Sequence, residues 1–183
     1  MPRLALCLLV LLPVGCKQML EQIQNQNQNQ NQPMEEFTST EWKFKAKFPG
    51  KPKQNEQAVM GVKVLMFSVE QKDGVYGVGV SDMPMPAGIT AGNKEGLLDA
   101  ARDGAIRNIN GKQKSSIPIF LDGKYQWPGR EFTATITQPT QGQARARIYL
   151  VGKRLYQVVV MGTDSFATSA QVTEFLDSFH VIE

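Results

Sequence analysis

The sequence predicts an α+β fold, an antiparallel sheet of about six to seven strands packed with two main helices. Three observations predict it. Between Phe37 and Glu183 the apolar residues fall largely in runs of period two, the spacing of a half-buried strand. Two segments switch to helical spacing. The element order is three strands, a helix, about four strands and a closing helix. These 147 residues are the usual size of one domain and enough to bury a core.

The first strand is read from Trp42, Phe44, Ala46 and Phe48, which alternate with Lys43, Lys45 and Lys47 and leave one wet face. Val62 to Val69 and Val75 to Val80 follow, parted by the turn signal around Asp73-Gly74. Later runs cover Ser116 to Leu121, Glu131 to Thr137, Ala144 to Val151 and Leu155 to Met161. Gly152-Lys153 joins the last two as a tight hairpin. Leu155 to Met161 is apolar on both faces except at Gln157, so it is expected to be a central strand covered on both sides.

The first helix is expected over Lys94 to Asn108. Leu97, Leu98, Ala101 and Ala105 form one stripe, and Asp99, Arg102, Asp103 and Arg107 fall outside it. Asn93 is the expected cap, and Gly111 lies just past the end. In the second helix Thr168 and Gln171 have capping-box spacing. Val172, Phe175, Leu176 and Phe179 follow at i, i+3, i+4 and i+7.

Several short stretches carry a family resemblance: F-P-G-K-P at Phe48 to Pro52, V-Y-G-V-G-V-S-D-M-P at Val75 to Pro84 and G-R-E-F at Gly129 to Phe132. R-L-Y-Q-V-V-V-M-G at Arg154 to Gly162 and F-L-D-S-F at Phe175 to Phe179 complete the set. Over about Trp42 to Glu183 the chain resembles the PsbP-like group of small domains, which includes the DcrB-type bacterial lipoproteins. The resemblance implies an accessory or binding protein rather than an enzyme, and it brings no catalytic motif to any residue of this sequence.

The N-terminus adds a location. Arg3 precedes an apolar run of 11 residues, Leu4 to Val14, which ends in Gly15 and Cys16. That is the layout of an export signal, and it falls short of the roughly 20 apolar residues that span a bilayer. L-P-V-G-C at Leu12 to Cys16 resembles the lipobox of bacterial lipoproteins, with Pro13 where such signals usually carry Leu. The resemblance implies that residues 1–15 are a leader and that Cys16 is the lipidated first residue of the mature chain, as in palmitate-bearing lipoproteins. An ordinary secretory leader is the alternative. Cys7 departs with the leader, so the mature chain has no second cysteine for a disulfide.

From Lys17 to Glu36, Gln and Asn dominate and there is little to bury, so the segment is read as a flexible tether with an r.m.s. span of roughly 25 Å. The expected location is a bacterial cell envelope, on the periplasmic or outer face. Lys17 after the cysteine resembles outer-membrane lipoproteins in two-membrane bacteria.

Catalytic and metal chemistries find little support. His180 is the chain's one histidine, and no Cys/His cluster or H-E-x-x-H accompanies it. No G-x-S-x-G is present, and Gly77 and Gly79 lie inside a strand pattern rather than in a phosphate loop. Met83 and Met85, alternating with Pro84 and Pro86, offer two soft thioethers, too few for a copper site and better read as a rigid connection. No catalytic residue, metal ligand or cofactor is therefore expected.

Two charged constellations remain. Arg145 and Arg147 share one side of a strand, across from Glu131, Thr133 and Thr135. They form either a candidate anion-binding pair or a salt-bridged surface. Lys43, Lys45, Lys47, Lys51 and Lys53 carry +5 without an intervening acid, whereas the mature chain, with 19 Lys and Arg against 17 Asp and Glu, is only +2. They either blunt an edge strand or contact an anionic surface, at about 1 kcal/mol per lysine. So small a net charge argues against nucleic acid as a partner. The expected function is that of a lipid-anchored, non-catalytic envelope protein that binds or supports other envelope components. The alternative is a solute-binding receptor or enzyme whose pocket gathers Arg130, Glu131, Arg145 and Arg147.

Overall fold

The structure, a computed structural model, describes residues 32–59, 62–83, 91–121, 126–137 and 141–182. The leader, Cys16, the tether as far as residue 31 and the Pro84 to Pro86 stretch lie outside the described residues. The α+β expectation is correct. A seven-stranded antiparallel sheet forms from β3 (Lys53–Val59), β4 (Val62–Gln71), β5 (Gly74–Asp82), β6 (Gly111–Leu121), β7 (Trp127–Ile136), β8 (Gly142–Val151) and β9 (Arg154–Gly162). Its spatial order is β3-β4-β5-β9-β8-β7-β6. A smaller sheet contains β1 (Glu35–Ser39), β2 (Phe44–Phe48) and β10 (His180–Val181), with β2 in the middle.

β9 lies fourth of the seven strands, as its two-sided apolar pattern predicts. Tyr156, Val158 and Val160 enter a core with Tyr76 and Val78 of β5, Phe44 and Phe48 of β2, and Phe175 and Leu176. Leu155 and Val159 turn to the other face and join Phe132, Ala146 and Ile148. That face is covered by α1 (Ala91–Asn108) through Leu98 and Ile106. The opposite face is covered by the small sheet, the single turn α2 (Asp164–Ala167) and α3 (Ala170–Asp177). Each large apolar side chain fully removed from water contributes roughly 1.5–3 kcal/mol, so these two layers hold the domain together.

Several boundaries differ from the sequence reading, each for a physical reason. Strand β1 begins at Glu35, inside the segment read as tether. It pairs with β2 from Glu35↔Phe48 to Ser39↔Phe44, and the ring of Phe37 packs 5.5 Å from that of Phe67. Backbone pairing rather than apolar content orders this acidic stretch. Strand β3 is polar for the same reason: it is the edge of the large sheet, held by its ladder to β4. The lysine-bearing strand β2 is not an edge strand, because β1 and β10 flank it. Trp42 and Lys43 lie in the preceding turn, and Lys43 has a left-handed backbone with φ 55°.

Helix α1 starts three residues before the expected Lys94, so Asn93 falls within its first turn instead of capping it. At its far end Asn110 takes the left-handed position, with φ 48°, and Gly111 opens β6. Asparagine tolerates that conformation, so the turn closes one residue early. The cap of α3 is Ser169, whose Oγ accepts from the Val172 N–H at 3.3 Å. Thr168 ends α2 instead, donating its hydroxyl proton to the Asp164 carbonyl at 2.8 Å. The helix stripe itself is as expected: Val172, Phe175, Leu176 and Phe179 are all buried.

The β4–β5 turn consists of Lys72 and Asp73, and Gly74 already belongs to β5. Gly74 pairs with Gly162 of β9 beneath the ring of Phe166. A side chain at either glycine would run into that ring, so the approach of α2 to the sheet requires both.

Candidate functional site

Arg145 and Arg147 lie opposite Thr133 and Glu131, as their alternation suggests. Their donors are directed at the chain itself. Arg147 donates through Nε to Glu131 at 2.8 Å and through Nη1 to the Leu176 carbonyl at 2.9 Å, and it pairs with Asp177 at 2.7 Å. Arg145 reaches the Ala167 carbonyl at 3.4 Å and the Thr173 hydroxyl at 3.2 Å, with Glu131 at 3.9 Å. The pair thus ties β7 and β8 to α2 and α3. Burial alone would lower the Arg147 pKa, but hydrogen bonds to Glu131 and Asp177 hold it above the ordinary value. Beside it, burial pushes Tyr149 up to about 12. Arg147 also lines a cavity of about 240 Å³ with Tyr149, Asp177 and His180. Glu131 and Asp177 already neutralise it there.

Arg130 works on the opposite face. It donates through Nε to Asp99 of α1 at 2.9 Å, pairs with Glu95 and reaches the Gly129 carbonyl at 3.3 Å. Asp99 also accepts from Arg102 at 2.9 Å, and Arg102 donates to Ser116 of β6 at 3.2 Å. The hydrogen bond from Arg130 holds the Asp99 carboxyl below the usual carboxylate range. Arg130 and Glu131 are separated by the sheet, so Arg130, Glu131, Arg145 and Arg147 do not share a pocket. Adjacent strand residues alternate in direction, and that was the signal in the sequence that these four could not converge.

The five lysines are also divided. Lys45 pairs with Glu36 at 3.4 Å and Lys47 with Glu174 at 2.9 Å, acids distant or on another strand. Lys51 and Lys53 are exposed around the start of β3, and Lys43 turns away in its left-handed turn. His180 is exposed in β10 opposite Lys45. Met83 packs against the α1 layer, and its N–H donates to the Lys153 carbonyl at 2.8 Å. Among the described residues no group of three His, Cys, Asp or Glu side chains is placed to hold a metal. Among them, too, no helix is long and apolar enough to cross a membrane.

A cavity of about 330 Å³ opens at the end of the large sheet where β5, β8 and β9 meet the small sheet. Trp127, Val151, Val181 and Ile182 provide apolar wall, and Lys43, Lys153, Arg154 and Asp82 supply the charge. Arg154 forks onto Asp82 at 2.8 and 3.2 Å, and its guanidinium lies 5.1 Å from the Trp42 ring centre. The Trp42 Nε1–H is buried without an acceptor among the described residues. The sequence gives little sign of this site because its residues come from five separate turns and strand ends. Only the sequential pair Lys153-Arg154, in a hairpin, could have hinted at it.

A seven-stranded antiparallel sheet with a long helix on one face and a small sheet with short helices on the other defines a PsbP-like fold. No protein-family model matches the chain, and no curated protein matches it. The solution structure of cyanobacterial PsbP (CyanoP) from Synechocystis sp. PCC 6803 is similar to it with a TM-score of 0.59 at 10% identity. The match covers 82% of this chain and 94% of that chain. At that identity the likeness shows the fold.

Proposed function

We propose that this chain is a lipid-anchored, non-catalytic protein of a bacterial envelope, a DcrB-type lipoprotein in the PsbP-like class, that binds or supports other envelope components. The observation that carries the reading is Cys16 at the end of L-P-V-G-C, followed by a Gln/Asn-rich stretch that leads to β1 at Glu35. A lipid on Cys16 would hold the domain at the membrane through that spacer. The PsbP-like fold, seen in the likeness to PsbP (CyanoP), is consistent with the accessory or binding role that the family resemblance implies. So is the use of Arg130, Arg145 and Arg147 as internal ties, which leaves the alternative enzyme or receptor pocket without its proposed members.

Metabolic labelling with a fatty-acid analogue tests the anchor. The wild-type chain should be tagged and membrane-bound, and Cys16→Ala should lose both properties. Labelling that persists in Cys16→Ala would overturn the assignment. Crosslinking in whole cells, with identification of the captured proteins, tests the accessory role.

A further inference from the structure

We infer that the cavity between Lys43, Lys153 and Trp127 binds a small organic anion with a flat apolar body, such as a carboxylate carried on aromatic rings. The left-handed backbone at Lys43 is the first observation. Non-glycine residues rarely adopt φ near 55°, and they persist there when surrounding contacts over-determine them. Here the Lys43 carbonyl accepts from the Ile182 N–H at 2.9 Å and from the Tyr156 hydroxyl at 3.4 Å. The same hydroxyl donates to the Trp42 carbonyl at 2.9 Å. These bonds hold Lys43 out of the alternation of β2 and beside the cavity, away from Lys45 and Lys47.

Charge balance is the second observation. Asp82 accepts the fork from Arg154 and is also stabilised as a carboxylate by the charge of Lys153. Lys43, Lys153 and Arg154 face this single carboxylate, so the described lining carries a net charge of +2. Lys153 sits in the β8–β9 turn, which is tied to the end of β5 by the Met83 N–H to Lys153 carbonyl bond of 2.8 Å. Trp127, Val151, Val181 and Ile182 make the rest of the wall largely apolar. A neutral apolar molecule would leave this positive charge unmatched, and a simple inorganic anion would leave the walls wet. An anion with an apolar body satisfies both, and the volume is at the lower end of the range for small-molecule sites.

The site stands whether or not Cys16 carries lipid, so its failure would leave the anchor reading untouched. The test is a titration of the full chain, in nanodiscs of zwitterionic lipid, with fluoronaphthoate followed by fluorine NMR against empty discs. Saturable binding is expected. Lys43→Gly and Lys153→Gln should each weaken it about fivefold, the scale of one exposed charge contact. Lys43→Gly suits the left-handed turn, so its melting temperature should not fall, which separates lost binding from lost folding. The uncharged fluoronaphthyl alcohol and inorganic phosphate should both compete poorly. Three outcomes would overturn the inference: no saturable binding, unchanged binding in both variants, or equal competition by the alcohol or by phosphate.

Discussion

Arg130 and Glu131 are consecutive residues of β7 that serve opposite layers of the domain: Arg130 holds Asp99 of α1 at 2.9 Å, and Glu131 holds Arg147 beneath α3 at 2.8 Å. One peptide unit thus links both helical layers to the same strand. The charged residues of β7 and β8 are mostly half-buried ties between layers.

Arg147→Met should destabilise the protein by about 2–3 kcal/mol, because it leaves half-buried Glu131 with only the looser Arg145 pairing at 3.9 Å and frees the last turn of α3. Arg147→Lys should recover only part of this, since an ammonium cannot reproduce a fork onto three acceptors. Urea unfolding curves check both. A midpoint unchanged in Arg147→Met would show that the tie contributes nothing.

Phe175→Ala and Leu176→Ala should each cost roughly 2–5 kcal/mol, as large-to-small changes in a packed core do. Phe175 is fully buried, with ring centres 5.1 Å from Phe48 and 5.2 Å from Tyr76. Melts within a degree or so of wild type would mean that α3 is peripheral.

The Asp99 carboxyl is held below its ordinary pKa of 3.8, first by the Arg130 hydrogen bond. Its folded-state pKa is depressed, so the pair stabilises the fold fully above the unfolded pKa and loses that contribution as pH falls through the folded value. Asp99→Asn should therefore be less stable than wild type at neutral pH, and the gap should close as pH falls below about 4. Denaturant titrations at several pH values measure the gap. One that is constant across this range would refute the linkage.

Acidic vesicles test the lysine-rich surface. Glu36 and Glu174 neutralise Lys45 and Lys47, so weak, salt-sensitive binding is expected to reside in Lys51 and Lys53 together with Lys43. Lys51→Glu with Lys53→Glu should abolish it, and Lys45→Ala with Lys47→Ala should change it little. Vesicle sedimentation at low ionic strength distinguishes the two, and equal loss in both variants would restore the five lysines to a single surface.

The chain itself carries the fold class, because alternation and helical spacing record which face of each element leaves water. Residues from Phe44 to Phe48, Leu155 to Met161 and Val172 to Phe179 show that pattern in one dimension, and they occupy the core accordingly. Strands β1, β3 and β10 carry no such pattern. Their order comes from hydrogen-bonding to a neighbouring strand, and β10 meets β2 across more than 130 residues of sequence. Long-range pairing also placed β2 inside its sheet, brought Glu174 to Lys47 and gathered Lys43, Asp82, Trp127 and Lys153 around one cavity. A local pattern reports burial, whereas a partner distant in the chain leaves no periodic trace, so the layers were legible and the charged contacts between them were not.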